Sequence, residues 1–199
     1  MGYEASGFYT KKKISHYRER DEKKRQAYQE QIAAYAKEKR VYLDECGLCH
    51  KLQRSHGYAA VGKRLGGLSW GKRKGRTNII GAWSTALKLF GGESYQSTVN
   101  KTVFMQWLKQ KLLSYLKEGM VVIMDNAPWH KGHDIKTLIE STGAKLIMFP
   151  PYSPDLNPIE HAWANLKQAI KSKAHRFENI ELNIESQLQS FNQSNLASL

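Results

Sequence analysis

Hydrophobic and polar positions along this chain change rhythm twice. From residue 11 to 40 charged helix formers dominate, and Tyr17, Arg20 or Asp21, Lys24, Tyr28, Ile32 and Tyr35 or Ala36 fall on a loose stripe of helical period. That predicts a solvated helix packing one thin face. Residues 41–44 then form a β-type run, and 58–61 a weaker one. Residues 62–76 hold five glycines among six basic residues, the composition of an exposed loop. Residues 78–84 and 86–90 predict two more strands. Over 99–116, Val103, Trp107, Leu108, Leu112 and Leu116, with the stem of Lys111, make the apolar face of a helix that Gly119 ends.

The second change comes after Gly119. A strand at 121–125, a helix at 134–142, a strand at 145–149 and a helix at 158–173 alternate as βαβα, which implies parallel neighbours. Antiparallel strands followed by βαβα make the pattern of a ribonuclease-H-like domain. The expected fold class is therefore α/β: a mixed sheet of three antiparallel strands and then βαβα, flanked by helices. The chain divides into a basic helical lead-in (1–40), that domain (41–175) and a polar C-terminal helix and tail (176–199), helical to about residue 191.

Length and charge narrow the class. A chain of 199 residues builds one domain with a full core and an appendage. Lys and Arg number 31 against 18 Asp and Glu, a net charge of +13 that draws polyanions. No apolar run approaches the ~20 residues that span a bilayer, and the N-terminus lacks the apolar core of a signal peptide. A cytoplasmic protein with reduced cysteines is expected.

The chemistry concentrates between residues 121 and 160. All five prolines lie from Pro128 to Pro158. The apolar run Val121–Met124 delivers Asp125 at a strand's carboxyl end, where open α/β sheets bind ligands. The turn FPPYSPDLNPIE delivers Glu160 just inside a helix. Asn157, Pro158 and Glu160 also fit an N-cap, N1 and N3, so Glu160 has a competing role as half of a capping box. Rigid proline support favours ligation, because catalytic groups need positioning to about half an ångström. The third acid is Asp44, at the end of the first strand. Strand residues alternate faces, so Asp44 or its neighbour Glu45 joins the cluster, not both; Asp44 shares the face of Tyr42. Three converging carboxylates repel unless cations sit between them, and Mg²⁺ takes such hard oxygen ligands.

Weaker signals surround this cluster. Lys167 and Lys171 lie near the Glu160 face of its helix, placed for phosphates. His130 is within reach of an active-site carboxylate or of a phosphate. In the glycine-hinged loop, Lys72, Arg73, Lys74 and Arg76 with Trp70 suit a DNA clamp. Cys46, Cys49 and His50 spell CxxCH, a haem attachment pattern, but without export they read as a turn after the first strand.

DNAPWH, PPYSPDLNPIEHAW and YLDECG together resemble the catalytic domain of DDE transposases of the mariner-like superfamily, in its bacterial insertion-sequence branch. The 34 residues between Asp125 and Glu160 match that family's spacing. The resemblance covers roughly residues 41–173. It implies a ribonuclease-H-like fold, with Asp44, Asp125 and Glu160 as catalytic ligands of two Mg²⁺ ions, for which Mn²⁺ can substitute. It implies nicking at transposon ends, then attack of the freed 3′-hydroxyl on target DNA. DNA is the implied partner, in a homodimer acting at the bacterial nucleoid. Relatives carry helix-turn-helix domains ahead of the core, so a separate helix-turn-helix protein from an upstream frame is a further expected partner. The competing classes are another ribonuclease-H-like nuclease, one acting on RNA–DNA hybrids for example, and an inactive DNA-binding remnant.

Overall fold

The computed structural model describes residues 20–50, 60–64, 75–130 and 132–196. Helix α1 (Glu22–Ala33) starts at Asp21, whose carboxylate accepts the Lys24 amide at 3.1 Å. Strands β1 (Arg40–Cys49), β2 (Arg76–Ser84) and β3 (Lys88–Tyr95) follow. Helix α2 (Lys101–Trp107) is capped by Asn100 and leads to β4 (Val121–Met124). Then come α3 (His133–Glu140), β5 (Lys145–Met148), α4 (Ile159–Lys173) and α5 (Ile180–Leu196).

The sheet order is β3-β2-β1-β4-β5. β1, β2 and β3 pair antiparallel, while β1–β4 and β4–β5 are parallel. This is the mixed sheet the alternation predicts. Apolar residues on both sheet faces require two covering layers. Tyr42, Cys46, Ile79 and Ile123 pack under α1, α4 and α5 through Tyr28, Ile32, Trp163, Leu166, Ile170 and Ile184. Val41, Leu43, Ile80, Val122 and Met124 pack under α2 and α3 through Phe104, Trp107, Ile135 and Ile139. No helix among the described residues is long and apolar enough to cross a membrane.

Three local expectations are corrected. β1 runs through Cys49, so Asp44 stands mid-strand, and Cys46 to Cys49 are strand rather than turn. The cause is β2, which pairs with β1 from Tyr42↔Trp83 to Cys49↔Arg76 and satisfies that backbone. Ala60 and Val61, the described half of the weak strand, are not strand. The helix from 101 widens into a π turn over Leu108–Leu112 and tightens to a 3₁₀ turn over Leu113–Tyr115. This broken winding keeps Trp107, Leu108 and Leu112 all buried, with Trp107 Nε1 donating to the Gly91 carbonyl at 2.7 Å.

Candidate active site

β1 and β4 pair from Arg40↔Val121 to Tyr42↔Ile123. Two residues further on, beyond the last ladder position, stand Asp44 and Asp125. Alternation along β1 turns Asp44 toward α4, on the face of Tyr42 and Cys46. Glu160 lies in the first turn of α4, whose Trp163, Leu166 and Ile170 anchor it to that same face. The three acids line one cleft of about 270 Å³, walled by Asn126 and the turn from Phe149 to Pro154. They arrive from three elements; among the described residues they are not drawn into a closed ligand cage.

Asp44 is held from three sides. Its Oδ1 accepts the Glu45 amide at 2.8 Å, and its Oδ2 accepts Asn157 Nδ2 at 3.2 Å and Trp163 Nε1 at 3.3 Å. Burial pushes its carboxyl up to about 7, with the Glu160 and Asp125 charges adding to the rise and the Glu45 and Trp163 hydrogen bonds opposing it. Trp163 reaches Asp44 because Gly81, the β2 residue paired with Asp44, leaves room for its ring.

Asp125 is organised by His130. The His130 Nδ1 lies 2.6 Å from Asp125 Oδ1, and the Ala127 amide donates to the same oxygen at 3.0 Å. Burial raises the Asp125 carboxyl, but the bonds from His130 and Ala127 outweigh it and hold it low. Glu45 points to the other face of β1, where its Oε1 lies 3.4 Å from His130 Nε2. Burial works against charge on His130, yet its bonds to Asp125 and Glu45 win and lift it to about 9. His130 thus sits buried between two carboxylates that favour its charged form, its ring 4.4 Å from that of Phe104.

The proline turn is fixed at both ends. Asn126 Nδ2 donates to the Phe149 carbonyl at 2.6 Å, and Ser153 Oγ to that of Pro151 at 3.1 Å. Tyr152 adopts φ +54°, a left-handed conformation that a bulky residue holds only under constraint. Asn157 does not cap α4; no side chain does, and its amide N–H goes to the Pro154 carbonyl at 3.0 Å. The alternative capping role of Glu160 is therefore absent. Neither the Glu160 carboxylate nor Asp125 Oδ2 makes a hydrogen bond or ion pair with a described residue.

The basic candidates scatter. Lys167 is half-buried beside Cys46, whose thiol burial pushes up while Lys167 pulls it down. Lys171 is exposed further along α4. Arg76 is exposed on β2, its Nε 3.0 Å from Asn78 Oδ1. Lys72, Arg73 and Lys74 lie outside the described residues. Sequence reasoning missed Asn157 and Trp163 as partners of Asp44; the one signal for them was their placement three residues either side of Glu160.

A mixed sheet that sets two acids at the parting of β1 and β4, facing a third on the helix that follows, is a ribonuclease-H-like core. Residues 39–182 match the DDE superfamily endonuclease family, and the chain belongs to it. It is 30% identical over 70 residues to the Transposable element Tc1 transposase of Caenorhabditis elegans, a stretch covering 35% of this chain and 26% of that protein. It is 34% identical over 58 residues to the Tcb2 transposase of Caenorhabditis briggsae, covering 29% and 21%. These matches span about a quarter of the relatives' length. Among solved structures, the Mos1 strand transfer complex is similar with a TM-score of 0.63 at 17% identity, over 93% of this chain and 64% of that one. The mariner Mos1 paired end complex with Mg gives 0.58 at 16%, over 97% and 67%. At such identity the likeness establishes the fold.

Proposed function

We propose that this chain is the catalytic part of a mariner-like transposase of the bacterial insertion-sequence branch. It cleaves DNA strands at transposon ends and joins the freed 3′ end to target DNA. The observation that carries this reading is the meeting of Asp44, Asp125 and Glu160 on one cleft, within a chain of the DDE superfamily endonuclease family.

The donor set fits a hard divalent cation. It offers only carboxylate oxygens, and among the described residues neither the Glu160 carboxylate nor Asp125 Oδ2 has a hydrogen-bond or ion-pair partner. Asp44, Asp125 and Glu160 would hold two Mg²⁺ ions, with Mn²⁺ able to replace them. When bound, such ions activate the attacking oxygen and stabilise the leaving one. The protein's own residues do the rest. The Glu45 amide, Asn157 and Trp163 fix the Asp44 carboxylate, which sheds its proton to become a ligand. His130 acts on Asp125, not on a phosphate, and fixes which of its oxygens stays free. Lys167, Lys171 and Arg76, with Lys72, Arg73 and Lys74 just ahead of Arg76 in the sequence, supply charge for the DNA backbone.

The partners are transposon-end and target DNA, a second copy of the chain in a homodimer, and a helix-turn-helix protein from an upstream frame. Asp125→Asn tests the core of the reading. It should abolish Mg²⁺-dependent cleavage of DNA carrying the element's ends while circular dichroism stays unchanged. Cleavage that survives the substitution refutes the assignment.

A further inference from the structure

Helix α1 lies outside residues 39–182, yet it grips the turn that leads to Glu160. Arg25 is 5% exposed, and its guanidinium forks onto Asp155, Nη1 to Oδ1 at 3.0 Å and Nη2 to Oδ2 at 2.6 Å. This bidentate geometry specifies direction as well as charge. One turn along α1, Tyr28 is buried with its ring 5.6 Å from that of Phe149, the residue that opens the proline turn. α1 therefore holds both the start and the end of residues 149–155.

What lies beyond Asp155 is the site itself. Two residues on, Asn157 donates to Asp44 Oδ2; five residues on stands Glu160. Pro150, Pro151, Pro154 and Pro158 make the segment stiff, so a displacement at Asp155 is passed on rather than absorbed. The pair is also lopsided. The Asp155 side chain is 52% exposed and solvated without help, whereas that of Arg25 is 6% exposed. Even fully buried ion pairs often exchange for apolar residues without loss of stability. Packing alone does not call for a fork at this position.

We propose that Arg25 is a positioning residue for the active site: through Asp155 it sets where the proline turn places Asn157 and Glu160. The proposal rests on the metal-dependent function above. It makes α1 a working part of the cleft rather than a solvated lead-in.

The test uses the full chain, Mn²⁺ as probe, isothermal titration calorimetry for affinity, and thermal melting for the fold. Asp155→Asn keeps shape but loses charge, Arg25→Lys keeps charge but loses the fork, and Arg25→Met removes the buried charge while filling the space. Each should weaken Mn²⁺ binding about tenfold, the low end of the loss when a group supporting a metal ligand is removed. The double variant Arg25→Lys with Asp155→Asn should be no worse than either single one. Wild-type affinity in Arg25→Met and Asp155→Asn, whatever their melting temperatures, would show the contact to be only structural and overturn the proposal. If the wild-type chain itself binds no Mn²⁺, the functional reading falls and takes this proposal with it.

Discussion

Gly81→Ala should damage both the fold and the site, through one atom. Gly81 pairs with Asp44 across the β1–β2 ladder, at the register shift between Ile80 and Ala82 in β2–β3. A Cβ there would stand 2.7 Å from Trp163 Cη2 and 3.3 Å from Leu89 Cδ1. Trp163 is 1% exposed, and a rigid indole in a packed core cannot swing aside as an exposed chain end does. Overpacking of this kind costs about 1–3 kcal/mol, offset by roughly 0.5–1 kcal/mol because alanine loses less backbone freedom than glycine in a strand. At mid-range the net loss is about 1 kcal/mol, which lowers the melting temperature by roughly 2–4 °C in a chain of this size. The shifted ring also breaks the 3.3 Å bond to Asp44, so Mg²⁺ affinity drops with stability. Trp163→Phe supplies the control, because its shorter ring lacks the clashing atoms. In that background Gly81→Ala should cost at least ~0.5 kcal/mol less, the lower end of the coupling between residues in contact. Differential scanning fluorimetry of the four proteins decides it. An unchanged melting point for Gly81→Ala, or the same loss in both backgrounds, refutes the proposed contact.

Two further expectations follow from charge. Asp44, raised from an ordinary value near 4 to about 7, keeps a proton in the folded chain that the unfolded chain has released. Metal-free stability should therefore fall as pH climbs from about 4 to 7 and level off above. Apparent Mg²⁺ affinity should rise by up to tenfold per pH unit below 7 and flatten beyond it; calorimetry from pH 5 to 8.5 reads both, and Asp44→Asn should erase both trends. His130 moves stability in the same direction at higher pH: its folded value near 9 exceeds the unfolded ~6.5, so its contribution is full below pH 6.5 and lost as pH rises through 9. His130→Gln should flatten that alkaline loss in thermal melts from pH 6 to 10; a loss that persists means other groups carry it.

The switch from antiparallel to parallel pairing and the face of Asp44 were legible because both follow from local periodicity. Alternation along 41–44 reports the pleat directly, and the apolar run 121–124 has no other use than a buried strand. The length of β1 was not legible, since Glu45, Cys46 and Gly47 have little strand preference and are held by β2 more than thirty residues on. Contacts that tie Asn157 and Trp163 to Asp44 join residues 113 and 119 positions apart, beyond any window of periodicity. Arg25 was hidden differently. On a thin stripe of tyrosines and an isoleucine, one arginine among many looks like surface charge paired along its own helix, as with Glu22, and the fork onto Asp155 comes from a turn 130 positions away. The π turn after Trp107 is likewise invisible to a 3.6-residue rhythm.

The seam between β1 and β4 is short: its ladder stops at Tyr42 and Ile123, while β1 continues to Cys49 against β2 alone. Above that seam the sheet is a pair of tongs. One jaw is β1 stiffened by β2 and bearing Asp44; the other is the exit of β4, braced by His130 and bearing Asp125. No ladder pair links the jaws at the height of the acids, so what spans them there is a side chain: His130, buried between Asp125 on one jaw and Glu45 on the other, is the rivet that sets their gap.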